Sequence, residues 1–190
     1  MHRTHTDQTG ELILQHELFV LDANLVESLP PEGPEIMHAL VKSLLTTLGM
    51  EKLGSFETYP ATDLRAPGFS FIQPITTSHI SGHYFEKPGE FPHFHMDIYS
   101  CKTFPWIEII PLLDRSLRLS DWSGNCIVRS VTGERSYCEI RGKGTAVFEE
   151  ICLNKQALLV APKSKSFSLL RYLKLSRNYL SRNPLLRRQS

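Results

Sequence analysis

Apolar and polar positions alternate along much of this chain, and where the alternation fails the spacing becomes helical. Glu11 to Leu21 alternates partially and reads as a strand, ended by Asp22, Ala23 and Asn24. A turn containing Pro30, Pro31, Gly33 and Pro34 precedes Glu35 to Met50, where Ile36, Leu40, Val41, Leu44, Leu45 and Leu48 recur at helical spacing. Pro34 suits the first helical position and Gly54 stops the run. Gly54 to Tyr59 reads as a short strand and Pro60 to Gly68 as a loop. Phe69 to Ile75 and Ser78 to Phe85 read as strands separated by Thr76 and Thr77. From His93 to Cys101 the alternation is clear. His93, His95, Asp97, Tyr99 and Cys101 share one face, and Phe94, Met96 and Ile98 the other.

Thr103 can cap and Pro105 open a second helix striped by Trp106, Ile109, Ile110, Leu113 and Leu117, with a break or kink expected at Pro111. Asn125 to Val131, Tyr137 to Ile140, Thr145 to Cys152 and Ala157 to Ala161 read as further strands. Two strand clusters, each attended by a helix, predict an α+β fold in which an antiparallel β-sheet carries helices on one face, an α/β sandwich. The expected organisation is a disordered polar tail over 1–10, one domain over 11–165 and a basic amphipathic tail over 166–190.

A length of 190 residues suits one such domain, and 41% hydrophobic residues are enough to fill its core. No apolar run approaches the roughly 20 residues that span a bilayer, so no stable membrane insertion is expected. The polar first ten residues lack the apolar segment of a signal peptide, which points to the cytoplasm. A formal charge of +1 argues against a nucleic-acid partner. That average conceals an asymmetry: nine Lys or Arg and no Asp or Glu follow Glu150, leaving twelve basic against twenty acidic residues before it. In the basic tail, Leu169, Leu170, Tyr172, Leu173, Tyr179 and Leu180 can line one side of a helix, expected to dock on the acidic body or on a second subunit, with an anionic membrane or an acidic partner as the alternative. Cys101, Cys126, Cys138 and Cys152 include no C-x-x-C pair and read as four reduced thiols.

Chemistry concentrates between Gly68 and Cys101. His93 and His95 have the spacing that supplies two metal ligands in cupin-type barrels, with His79 and His83 nearby. The further Glu and the later His of such a site are missing, no histidine follows His95, and no metal is assigned. A Cys–His nucleophilic pair, Cys101 with His83 or His95, is a second possibility.

A third reading accounts for more residues at once. The segment Thr77-Ser78-His79-Ile80-Ser81-Gly82-His83, followed by Asp97-Ile98-Tyr99-Ser100-Cys101, resembles the core of the prokaryotic S-adenosylmethionine decarboxylase family, E-S-H-[LI]-[ST]-x-H-[TS]-W-P-E and then D-[LIV]-[FY]-[ST]-C. The resemblance covers residues 68 to 102 and rests on joint spacing. It implies that Ser78 becomes a covalent pyruvoyl group through self-cleavage between Thr77 and Ser78, giving chains 1–77 and 78–190. It also implies that His83 and Ser70 serve processing, that Cys101 is the catalytic acid and that Glu90 contacts substrate. Phe85 or Phe91 stands where an aromatic stacks on adenine. In the family the pyruvoyl ketone is the electron sink for decarboxylation through a Schiff base, and the processed protomers form a homodimer.

The match departs from the family at three places, one of them the position before the Gly68-Phe69-Ser70 segment where the family offers a second aromatic and this chain has Leu64 or Arg65. Thr77 replaces the usual Glu before the reactive serine, and three additional residues lengthen the turn after His83. The resemblance makes S-adenosylmethionine the first expected substrate, and the missing aromatic makes L-arginine or L-ornithine alternatives that share its α-amino acid head and a cationic side chain without needing aromatic faces for a nucleobase. An unprocessed, non-catalytic binding or regulatory protein is the alternative from another class.

Overall fold

The computed structural model describes residues 15–87, 89–130 and 135–154. Eight strands form one antiparallel sheet in the order β2-β3-β4-β5-β1-β6-β7-β8. They are β1 (Gln15–Leu25), β2 (Glu57–Pro60), β3 (Gly68–Ile75), β4 (Ser78–Phe85), β5 (His93–Ser100), β6 (Leu119–Ser130), β7 (Arg135–Lys143) and β8 (Ala146–Asn154). Helix α1 (Gly33–Leu48) leads from β1 towards β2, and α2 (Ile109–Leu117), preceded by a short 3-10 turn at Trp106–Glu108, joins β5 to β6. The α+β class with an antiparallel sheet and helices on one face is thus what the chain adopts.

Period-two alternation decides the two faces of the sheet. Phe19, Leu21, Ala23 and Leu25 of β1, Ile80 and Tyr84 of β4, and Phe94, Met96 and Ile98 of β5 are buried on one face. Met37, Leu40, Val41 and Leu44 of α1 and Ile109, Ile110, Leu113 and Leu117 of α2 close the same core. Burying each such side chain stabilises the fold by about 1.5–3 kcal/mol, so β1 at the sheet centre and the two helical stripes fix which face turns inward. Gly82 belongs to this core. A Cβ there would sit 2.4 Å from the His95 carbonyl oxygen and 2.6 Å from the Phe71 ring.

Several boundaries differ from expectation for local reasons. Helix α1 ends at Gly49, whose φ of 61° provides the left-handed cap, and not at Gly54. Pro111 causes no break because it lies in the first turn of α2, where backbone N–H groups have no intrahelical acceptor to lose. Strand β6 begins at Leu119, six residues before the expected start, because pairing with β1 outweighs the weak strand preference of Asp121, Ser123 and Gly124.

Cys138 and Cys152 are joined as a disulfide, against the expectation of four reduced thiols. The cause is register: they are direct partners across β7 and β8, with Cα atoms 4.0 Å apart. The expected 1–10 tail, the Ala157 to Ala161 strand and the basic 166–190 tail lie outside the described residues.

Candidate active site

The face of the sheet opposite the helices carries the chemistry. His16, Asp22 and Asn24 of β1, Ser70 of β3, His79, Ser81, His83 and Phe85 of β4, and His93, His95, Asp97 and Tyr99 of β5 all lie on it. Because β4 and β5 are antiparallel and pair Ser78 with Ser100 and Phe85 with His93, these residues fall into two groups at opposite strand ends.

The first group surrounds the Thr77–Ser78 junction. Strands β3 and β4 are joined by only Thr76 and Thr77. Two-residue hairpins favour residues that accept positive φ, which β-branched threonines resist. The positive φ falls on Ser78 instead, at 149°, a value that L side chains rarely adopt. Such a backbone costs about 1–3 kcal/mol and persists only where surrounding contacts enforce it.

Those contacts are visible. The Thr77 carbonyl oxygen accepts a 3.0 Å hydrogen bond from the Cys101 backbone N–H. The Thr77 hydroxyl oxygen accepts a 3.2 Å bond from the hydroxyl of Ser100, which is fully buried. Ser78 Oγ is 3.1 Å from His79 Nδ1, and His79 Nε2 is 3.3 Å from Asp97 Oδ2. Asp97 is itself held by the Ser81 hydroxyl at 2.8 Å. A carboxylate only accepts, so neutral His79 keeps its proton on Nε2 and presents Nδ1 to the serine hydroxyl.

Cys101 Sγ lies 3.6 Å from His16 Nδ1, so its imidazole partner is His16 and neither His83 nor His95. Tyr99 OH is 2.8 Å from the same Nδ1 and accepts a 2.7 Å hydrogen bond from Arg129 Nη2. Since arginine supplies that proton, the tyrosine hydroxyl hydrogen is free to point at His16, which makes Nδ1 an acceptor. On the helix-facing side, Glu17 sits opposite Ser100 and accepts the Phe104 N–H at 3.0 Å. Burial pushes its carboxyl above the usual range, although hydrogen bonds from Phe104, Thr103 and Gln15 act the other way.

The second group occupies the far end. Ser70 Oγ and His83 Nδ1 are 2.7 Å apart, so the two residues assigned jointly to processing do meet. Phe85 stacks beside His83, with ring centroids 6.1 Å apart, and meets His95 edge-on at 5.7 Å. His95 Nδ1 bonds to Asp22 Oδ1, and His93 Nδ1 is 2.8 Å from Asn24 Oδ1. Burial, and then the adjacent His95, hold the His93 imidazole below its ordinary range. Glu90 is exposed in the turn between β4 and β5.

Comparison with protein-family models and with curated proteins found no match. The site therefore has to be read from its own geometry. Thr77, Ser78 and Cys101 converge; Ser70, His83 and Phe85 converge separately. His83 lies five residues along β4 from Ser78, about 16 Å at the rise of an extended strand, and does not reach the Ser78 α-proton of its own chain. Sequence reasoning left His16, Glu17 and Ser100 out of the site and named His79 only as a histidine near a possible metal pair, with no part in processing. The adjacency of His79 to Ser78 was a usable signal, whereas His16, 85 residues from Cys101, shows only in the pairing of β1 with β5.

Proposed function

We propose that the chain is a self-processing, pyruvoyl-dependent amino-acid decarboxylase centred on the Thr77–Ser78 bond. The observation that carries this reading is the strained Ser78, whose hydroxyl faces an Asp97-backed imidazole while the preceding carbonyl is polarised by the Cys101 N–H.

Processing begins as His79 Nδ1 takes the Ser78 hydroxyl proton and Oγ attacks the Thr77 carbonyl carbon. Negative charge collects on the Thr77 oxygen, where the Cys101 amide already donates. The C–N bond then breaks, the proton passes from His79 to the released nitrogen, and the amide has become an ester. Loss of the Ser78 α-proton expels the Thr77 carboxylate and separates chains 1–77 and 78–190, and water then hydrolyses the dehydroalanine through its imine, releasing ammonia and leaving the keto group. The geometry fits a pyruvoyl group at position 78, which when formed supplies a keto carbonyl as an electron sink. Cys101 acts as the acid that returns a proton to the substrate carbon.

The base for the α-proton requires a second copy. A two-fold axis across the strands near Ser81, with two sheets facing each other through their polar sides, carries one end of each sheet over the opposite end of its partner. Ser70, His83, Phe85 and Glu90 of one protomer then approach Ser78 and Cys101 of the other. In that homodimer the far-end group supplies both the processing base and the substrate contacts. S-adenosylmethionine is the leading substrate, with Phe85 or Phe91 for adenine and Glu90 for the cation; arginine and ornithine use the same α-amino acid head.

Intact mass spectrometry tests the reading. The purified chain should separate into two polypeptides cut before residue 78, and the Ser78→Ala variant should stay whole. A wild-type chain that remains uncut overturns it in favour of a non-catalytic binding protein. Release of CO2 from S-adenosylmethionine, arginine and ornithine in parallel then identifies the substrate.

A further inference from the structure

Processing and decarboxylation leave one side-chain cluster of the open face unused. His93 and His95 project from the same side of β5, with ring centroids 4.4 Å apart and planes at 65°. Asp22 of the neighbouring β1 is the direct register partner of His95. The three residues can each offer one ligand atom within 4.8 Å of the others. We propose that Asp22, His93 and His95 form a binding site for a divalent first-row transition ion of the zinc class.

The polar contacts of the two imidazoles carry the argument. Asn24 Nδ2 donates to Asp121 Oδ2 at 3.0 Å, which turns the amide oxygen of Asn24 towards His93. His93 must then hold its proton on Nδ1 and donate it to that oxygen, 2.8 Å away, leaving the Nε2 lone pair free. The carboxylate of Asp22 lies against His95 Nδ1, and an ion taken between them exchanges that hydrogen bond for two metal bonds, one from His95 Nδ1 and one from a carboxylate oxygen. Zinc-binding histidines characteristically donate their other N–H to a carbonyl or carboxylate, as His93 does to Asn24, which orients the ring and raises its basicity. Bonds of about 2.0–2.2 Å to one ion require ligand atoms within about 4.4 Å of each other, so modest side-chain rotation closes the site. Two imidazoles and one carboxylate suit zinc, cobalt or nickel and disfavour magnesium and calcium, which take oxygen ligands. Three protein ligands leave a position for water or for a small carboxylate. The second candidate cluster, Cys138, Glu150 and Cys152, has its sulfurs committed to the disulfide.

The site does not rest on the decarboxylase reading and is tested apart from it. The full chain and its uncleavable Ser78→Ala form, stripped with chelator, should each bind one Zn2+ in equilibrium dialysis. The cobalt form should show visible d–d bands without a thiolate charge-transfer band. The His93→Ala/His95→Ala variant should lose this uptake. Asn24→Ala should weaken it by about 10–100-fold, the usual effect of removing an outer-shell partner, while Asn24→Asp, which keeps the acceptor, should retain it. Nitrogen-15 NMR of the unsubstituted protein should place the zinc-induced shifts on Nε2 of His93 and Nδ1 of His95. The proposal is overturned by an absence of saturable binding, by uptake that survives in the double histidine variant, by a thiolate band, or by an Asn24→Ala affinity equal to that of the unsubstituted protein.

Discussion

The Cys101 backbone N–H donates a 3.0 Å hydrogen bond to the carbonyl oxygen of Thr77. This bond ties the end of β5 to the hairpin between β3 and β4, and it polarises the carbonyl that the Ser78 hydroxyl would attack. In the proposed reaction the amide at residue 101 serves cleavage, while the thiol of the same residue serves turnover. Replacing Cys101 by Ala or Ser removes the second role and preserves the first. Both variants should still be cut at Ser78, yet release CO2 at least about 100-fold more slowly, the low end of the contribution of a positioned acid. A Cys101→Ala chain that is cut and fully active assigns the acid elsewhere.

Strain at Ser78 can be measured apart from chemistry. Ser78→Ala and Ser78→Gly both lack the nucleophile and stay whole, but only glycine accepts a φ of 149° without penalty. Relief of about 1–3 kcal/mol outweighs the roughly 0.5–1 kcal/mol that glycine loses in chain entropy. Denaturant unfolding should therefore find Ser78→Gly the more stable of the two. Equal stability, or the reverse order, means that the junction stores no strain.

His79 is the imidazole at the Ser78 hydroxyl. His79→Ala should slow self-cleavage by about 10²–10⁴-fold, and Asp97→Asn, which disturbs the tautomer, should slow it to a lesser degree. Pulse-chase electrophoresis of the precursor follows both, and unchanged cleavage in His79→Ala removes this residue from the mechanism.

The legible and illegible parts of this chain separate along a physical line. The polar face of β5 and the apolar stripe of α1 were visible because period and burial are local properties. Whatever depends on strand neighbours was hidden. Asp22 complements His93 and His95 only because β1 inserts between β5 and β6, and a search for ligands downstream of His95 could not find it. The pairing of Cys138 with Cys152, and of Cys101 with His16, likewise follows from register. Conversely, spacing along β4 placed His83 near Ser78 in sequence while extended geometry holds the two apart.

Burial separates the cysteines by reactivity. The Cys126 thiol, half-buried and near Glu17 and Glu150, is pushed up to about 12, so at pH 8 it is almost wholly protonated and unreactive. Cys138 and Cys152 are tied together. Iodoacetamide should therefore modify the folded, unreduced protein at Cys101 alone, with Cys126 reacting on unfolding and the last pair only after reduction. Peptide mapping that finds Cys126 alkylated in the native state contradicts this.

Glu17 sets a pH signature. Its folded pKa lies above the ordinary 4.5, so the native state binds the proton more tightly than the unfolded chain. The resulting stabilisation is complete below pH 4.5 and is lost as pH rises through the folded value. Glu17→Gln does not titrate. The stability of the unsubstituted protein relative to this variant should fall as pH rises above 4.5 and then level off; a difference that rises over that window reverses the sign and refutes the assignment.

The shared site predicts complementation between defective chains. His83 stands about 16 Å from the Ser78 of its own strand, with Ser70 of the neighbouring strand beside it, a distance that no rotamer of His83 spans. If the pair acts across a two-fold axis, His83→Ala homodimers accumulate uncut precursor although every chain carries Ser78. Co-expression with Ser78→Ala should rescue the cut, because each mixed dimer then contains one junction built from an intact Ser78 and an intact His83. Only the His83→Ala chain, which bears the serine, should be cleaved, and distinct mass tags on the two chains identify it. Cleavage of His83→Ala alone at the normal rate would place the α-proton base within one protomer, where His79 is the imidazole already in contact with Ser78.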